Sequence, residues 1–389
     1  MSDELLSEGL RAIRPQVEAV VAGVIRPRAE EVDREGAWPE HSMHALAGAG
    51  LLGLQVPKRY GGHGQGLLAL ATVTESIGAA CASSALCFGM HCVATAVIAA
   101  RATPHHAERY LRPIAEGRHV TTLALSESGS GAHFYLPATT LSRDPDGRWV
   151  VEGGKQFVTN GGHADSYVVS LIGEARTAES GEFSCLVMDR DLRGMNWLDP
   201  WRGMGMHGNS SRAVRFEGVR VPAENLLGAE GDQNWYVFEV VAPYFLMAMA
   251  GTYLGLAQAA VDATIQHLRD RRYAHSGETL GEAPVLQHRL AEIWADVQKT
   301  RGLIYNAARL GDLGDPGFLP HIFACKAEAA DTAVRVTNEA LTLCGGSAYR
   351  ENSQLARLLR DARASHVMSP TTDLLKQWTG RALLGLPLL

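Results

Sequence analysis

Two runs without a single Asp, Glu, Lys or Arg restrict the fold more than any other feature of the chain: AACASSALCFGMHCVATAVIAA at 79–100 and VVAPYFLMAMAGTYLGLAQAAV at 240–261. Each approaches the roughly 20 residues a helix needs to cross a bilayer. Each is also apolar around its whole circumference, so it must be buried on every side. His91, Thr252, Gln258 and several glycines lie inside the runs. That mixture favours two helices at the centre of a large helical assembly over membrane spans, and no membrane span is expected.

The surroundings of the two runs differ from the middle of the chain. From Leu5 to about Gly117 the apolar period is helical, punctuated at Pro39, at VPKRYGGHGQG (56–66) and at RATPHH (101–106). From about Val120 to Val221, short β-branched runs such as HVTTLALSES, RWVVEGGKQFVTN, SYVVSLIG and RAVRFEGVRVP alternate with Gly, Asn and Asp. The helical period then returns and holds to the C-terminus. The expected architecture is mainly α with a central β domain: a helical N-terminal domain over 1–119, a small β-barrel or sandwich over 120–228, and a C-terminal four-helix bundle over 229–389. With 389 residues, two or three packed domains are expected.

Composition narrows the function classes. A formal net charge of −6, with no basic stripe, argues against a nucleic-acid binder. Six cysteines (Cys81, Cys87, Cys92, Cys185, Cys325 and Cys344) form no CxxC pair, so neither a zinc site nor a disulfide framework is expected, and no metal. The N-terminal MSDELLSEGLRAIRPQ is acidic before it is apolar, the reverse of a secretory signal, and a cytoplasmic protein is expected. GMGMHG at 203–208 satisfies the glycine spacing of a dinucleotide fingerprint, but it precedes a strand instead of opening a helix, so a Rossmann site is rejected.

Several segments carry a resemblance through their order along the chain. LALSESGSGAH (123–133), GGKQFVTNGGHAD (153–165), GMHGNSSRAVRFEGVRVPAENLLG (205–228), LGLAQAAVD, LCGGSAY and RLLRDARA follow one another as the corresponding segments do in the acyl-CoA dehydrogenase superfamily, and together they span nearly the whole chain. The resemblance implies FAD between the β domain and the C-terminal helices, with its dinucleotide end reaching a neighbouring subunit. It places Ser126, Phe157 and Thr159 around the flavin ring, where hydroxyls can hydrogen-bond ring atoms and a phenyl ring offers a flat wall. Gly345 and Gly346, with Arg271 or Arg272, Gln287 and Thr371, fall at positions serving the rest of the cofactor. Ala132, Phe245 and Leu246 fall at substrate positions. A homo-oligomer, a dimer or a homotetramer, and an electron-transfer flavoprotein as electron acceptor are further implications. Departures stand beside the matches: His133 replaces the family aspartate, Ala132 the serine before it, and Ser276, Pro284 and Thr342 replace further cofactor-side residues.

The chemistry of that family turns on a base that removes the α proton of an acyl thioester while flavin takes the hydride from the β carbon. Counted from the paired glycines, the usual glutamate falls on Ser369, and the alternative position used by some relatives falls on Phe245, with Leu246 where an arginine is common. Both carboxylate positions are empty, and a serine hydroxyl has no useful basicity unless another base activates it. Asp373, one helical turn on, is a candidate displaced base and also reads as a helix-capping aspartate. Among the histidines of cleft-like segments (His91, His133, His163 and His207), His133 is the first candidate because it replaces an acidic residue in the flavin-proximal loop. Three functions are consistent with this pattern: an FAD-dependent oxidoreductase on an acyl thioester with an unconventional base, a flavin monooxygenase or elimination enzyme on the same fold, and a non-catalytic subunit of a larger assembly.

Overall fold

A computed structural model describes residues 7–173, 183–231 and 236–388. The N-terminal helices are α1 (Glu8–Val20), α2 (Arg26–Glu35), α3 (Glu40–Gly48), α4 (Leu67–Gly78), α5 (Ala82–Ala100) and the short α6 (Pro104–His106) and α7 (Arg112–Ala115). Among the described residues the C-terminal helices are α8 (Ala242–Asp270), α9 (Pro284–Asp312), α10 (Phe318–Cys344), α11 (Gln354–Val367) and α12 (Thr372–Leu383). The last of the four long segments expected here is thus two shorter helices, broken at Met368–Thr371, where Pro370 cannot continue a helical ladder.

The two charge-free runs form α5 and the first two-thirds of α8, and 94% and 89% of their most apolar windows are buried inside the protein. Packing contacts surround α8 with α4, α5, α9, α10 and α11, which makes it the central helix. Close crossing of α4 over α8 needs Gly251 and Gly255, because an added Cβ at either would run into the carbonyl of Ala71 or Glu75. The polar residues inside the runs are satisfied internally. Thr252 donates to Ala248 O at 2.8 Å. Gln258 accepts from Arg301 Nη2 at 2.8 Å, and the same guanidinium donates to Glu75 at 2.9 and 3.0 Å, locking α4, α8 and α9 together.

Between the helical blocks lie β1 (Thr121–Ala124), β2 (Thr140–Arg143), β3 (Trp149–Val158), β4 (Ser166–Gly173), β5 (Ser184–Asp189), β6 (Met195–Trp197), β7 (Arg212–Val221) and β8 (Leu226–Leu227). They form one sheet in the order β6-β7-β3-β2-β4-β5-β8, with β1 joined to β4. The β1–β4 and β2–β4 pairs are parallel and the rest antiparallel. Strands far apart in this order share one core: Trp149 and Val151 of β3 and Val214 and Phe216 of β7 meet Tyr167 and Val169 of β4 and Leu186 and Met188 of β5. The sheet therefore closes over its own interior. Strand alternation gives β1, β4 and β5 a second apolar face, on which Leu123, Val168, Cys185 and Val187 join the core of the helices. This double burial explains why SYVVSLIG and SCLVMD read as continuous apolar runs, and it fixes the β domain against α5.

Candidate active site

Strand β3 ends in an irregularity that determines what the site can present. The pairing with β7 shifts register between Lys155 and Val158, and inside this bulge Phe157 adopts φ +54°. A left-handed backbone is costly for an aromatic residue, and a bulge redirects the side chain that carries it. Phe157 is 64% exposed, with its ring edge-on to Trp201 at 6.3 Å. Three residues on, Asn160 also has positive φ (+61°) and is held by the N-terminal helices. Trp38 Nε1 donates to its Oδ1 at 2.8 Å, and its Nδ2 donates to Cys87 O at 3.0 Å. Thr159 lies between them, buried, with its hydroxyl 3.2 Å from that of Ser211. Ser126, just past β1, joins the same strand end by accepting Gln156 N–H at 2.8 Å.

The glycine-rich loop after β1 is anchored by a buried ion pair. Glu127 Oε1 is 2.5 Å from Lys155 Nζ. Glu127 also accepts from Ala138 N at 2.8 Å, Thr139 N at 3.1 Å and Thr139 Oγ1 at 2.7 Å. The ammonium donates further to Leu125 O at 3.2 Å and Ser170 Oγ at 3.0 Å. Burial pushes the Glu127 carboxyl up, but the charge and hydrogen bond of Lys155, with Thr139 and Ala138, outweigh it and hold the group below its ordinary range. Burial also pulls Lys155 below the ordinary lysine range, against the pull of Glu127.

This loop meets the C-terminal helices at Ser369, whose Oγ donates to Ala132 O at 3.0 Å. The Ser369 hydroxyl is thus engaged with a carbonyl, and Phe245 and Leu246, expected at the substrate, are buried in the apolar core. Asp373 is exposed in the first turn of α12, where Lys376 is a charged neighbour. Thr371 is the N-cap of α12, accepting from Leu374 N at 3.4 Å. His133 is exposed, with Nδ1 2.8 Å from Tyr135 Oη. Burial raises Tyr135 above the ordinary phenol range, so the phenol keeps its proton at neutral pH.

The other histidines are engaged elsewhere. His91 accepts Thr121 N–H on Nδ1 at 3.1 Å, which leaves Nε2–H to donate to Leu52 O at 3.0 Å. Burial lowers its pKa to about 4, so it is a neutral clip between α5 and β1. His163 stacks on Trp38 with centroids 4.7 Å apart. His207 lies 3.1 Å from Asp33 Oδ1, and Arg360 bonds the same carboxylate at 2.5 and 3.0 Å. Next to Arg360, buried Asp361 accepts Met206 N–H at 2.6 Å, while Met206 O accepts from Trp201 Nε1 at 3.0 Å. A cavity of about 880 Å³ adjoins this cluster, lined by Arg26, Glu30, Asp33, Arg357 and Arg360 with His207. Its cations and carboxylates nearly balance, and it is separate from the flavin and substrate positions read from the sequence.

The remaining residues expected to serve the cofactor gather at one end of the C-terminal helices. Arg271 caps α8, Arg272 donates to Gly277 O at 2.8 Å, and Gln287 donates to Gly281 O at 2.8 Å at the start of α9. Gly345, with φ +63°, ends α10, and at Gly345 and Gly346 an added Cβ would meet nothing within 4 Å. All five residues are exposed. Sequence reading missed Lys155, Glu127, Trp201, Asp361 and Lys326. A single cation inside an apolar segment, as in HIFACKAEAA, was the available signal for Lys326.

Comparison with known proteins bears on this geometry directly. Models of the acyl-CoA dehydrogenase N-terminal, middle and C-terminal domains match residues 7–118, 122–219 and 242–384. The chain belongs to the acyl-CoA dehydrogenase family. It is 32% identical over 380 residues to cyclohex-1-ene-1-carbonyl-CoA dehydrogenase of Geobacter metallireducens, covering 97% of this chain and 99% of that protein. Acryloyl-CoA reductase (NADH) of Anaerotignum propionicum is 29% identical, with 90% and 88% covered. Butyryl-CoA dehydrogenase from Megasphaera elsdenii superposes with a TM-score of 0.91 at 26% identity, with 97% and 99% covered. As a family member the chain is an FAD-dependent acyl-CoA oxidoreductase. Its own residues fit that cofactor: an aromatic ring held out to solvent by a bulge in left-handed backbone suits a flat partner, and the Gly345–Gly346 turn admits close backbone approach.

Proposed function

We propose that the protein oxidises or reduces the α,β bond of an acyl-CoA without a carboxylate at position 369, and that His133 carries the proton. The observation that carries this reading is the Ser369–Ala132 contact, which engages the hydroxyl at the glutamate position and sets the residue after Ala132 at the junction of loop and C-terminal helices. FAD, when bound, supplies the hydride acceptor or donor. The chain supplies the rest. In the tautomer whose Nδ1–H donates to Tyr135 Oη, His133 has its Nε2 lone pair open to accept a proton. Phe157 and Trp201 offer an aromatic wall, and Ser126 and Thr159 hydroxyl groups beside it.

The reading includes a second copy of the chain. Lys326, beside the Ser369 segment, and Cys344, before the paired glycines, are 18 residues apart on α10, so the two groups of cofactor residues lie about 27 Å apart along that helix. One copy contributes Phe157, Thr159 and Ser126; its neighbour contributes Gly345, Gly346, Arg271, Arg272 and Gln287.

Single-turnover flavin reduction by acyl-CoA in the FAD-loaded His133→Ala variant tests the assignment. The expected loss is about 100-fold or more, the lower end of general acid–base contributions. An unchanged rate refutes His133. A second reading, oxygen chemistry on the same fold, is favoured by the bulky apolar pair Phe245 and Leu246, which holds no charge for a CoA thioester reaction. Oxygen consumption by the flavin-reduced protein without any enoyl-CoA product would support it.

A further inference from the structure

We infer that Lys326 is a positioning residue: it grips the segment that carries Ser369 and thereby sets how the C-terminal helices meet the flavin-proximal loop. Lys326 lies in α10 and is 0% exposed. Its Nζ donates to Ser365 O at 2.6 Å, Met368 O at 3.0 Å and Pro370 O at 3.0 Å. An ammonium has three donors, and all three are used. Helix α11 ends at Val367, so two of these carbonyls belong to its last turn and cap, which have no partner within the helix, and the third lies beyond it.

Among the described residues no carboxylate pairs with this ammonium. Burial alone pushes its pKa down, to about 7. The three carbonyls and the negative end of α11 act the other way and favour the charged form. A methionine would fill the same space in this apolar core without bringing a charge out of water. What the lysine adds is a fixed geometry over Ser365–Pro370. Inside that span Ser369 reaches Ala132 O at 3.0 Å, on the loop that carries Ser126 and His133, and directly after it Thr371 starts α12. Lys326 therefore acts through Ser369 and touches neither cofactor nor substrate positions itself.

The inference rests on the proposed flavin site, and its test separates the two. FAD-loaded Lys326→Met, Ser369→Ala and the double variant are compared with the unmodified protein by visible flavin absorption without substrate and by steady-state kinetics with acyl-CoA. Lys326→Met is expected to shift the flavin absorption band and to lower kcat about tenfold or more with KM within about threefold, as for a displaced active-site segment. Adding Ser369→Ala to it is expected to change nothing further, because the Ala132 contact is already lost. Additive effects overturn the inference, as does a variant with unaltered spectrum and kcat and only a lowered melting temperature. If Lys326→Met does not fold, Lys326→Gln, which keeps two N–H donors, must shift the flavin band relative to the unmodified protein; an unaltered spectrum there also overturns it. Failure of the unmodified protein to react with acyl-CoA refutes the proposed reaction, and the substrate-free spectra still decide the role of Lys326.

Discussion

Replacing Lys155 with Met removes one half of the buried pair that shapes the glycine-rich loop after β1. The side chains are 0% and 8% exposed, so Glu127 would be left as a nearly dry carboxylate with only Thr139 and Ala138 as donors. Breaking such a pair from one side costs about 3–5 kcal/mol, most of it from the uncompensated charge. Removing the charge from both sides, in Glu127→Gln/Lys155→Met, leaves mainly lost hydrogen bonds, about 1 kcal/mol each. The double variant is therefore expected to be more stable than Lys155→Met alone, by about 1–2 kcal/mol. Urea unfolding midpoints at one fixed FAD concentration measure this ordering, and the FAD dissociation constant measures the loop. A Lys155→Met protein within about 1 kcal/mol of the parent, or a double variant less stable than the single, would refute the claim that this pair anchors the loop.

Two further outcomes follow from the same geometry. Burial, with Asp33 as a like charge and against the Met206 N–H and the nearby arginines, raises Asp361 from 3.8 to about 6. The folded protein then holds this proton where the unfolded chain releases it, so stability falls as pH rises from about 4 to 6, by up to about 3 kcal/mol. Asp361→Asn, which keeps an oxygen for Met206 N–H, should raise the unfolding midpoint at pH 7.5, and thermal melts should show the gain shrinking toward pH 4; a gain independent of pH would contradict this. Ser369→Glu should gain less than about tenfold in acyl-CoA oxidation, since its carboxylate would face the Ala132 carbonyl that the serine hydroxyl now meets; a gain of about 100-fold in steady-state assays would show that the pocket suits a glutamate.

The order of helical, β and helical blocks was legible because it rests on local periodicity, and the two uncharged runs announced the central helices. Double burial of β4 and β5 could be read only as continuous apolar strands; which residues face which core depends on the closure of the sheet. Counting from the paired glycines singled out Ser369 in the sequence. The partner of its hydroxyl could not be read there. The Ser369–Ala132, Lys155–Glu127 and Met206–Asp361 contacts span 237, 28 and 155 residues, and nothing local in the sequence encodes which partner each group finds. Phe157 was legible as an aromatic residue in a glycine-flanked segment, whereas its exposure depends on the β3 bulge, a register property set by β7.

The most direct measurement is anaerobic titration of the FAD-loaded protein with a panel of acyl-CoAs that includes straight-chain, branched and cyclic acyl groups, followed at the flavin band with product analysis. The account predicts bleaching, or a long-wavelength charge-transfer band, with at least one member and formation of its enoyl product, although position 369 bears no carboxylate. A spectrum unchanged across the panel would contradict it and would move oxygen chemistry ahead of α,β-dehydrogenation.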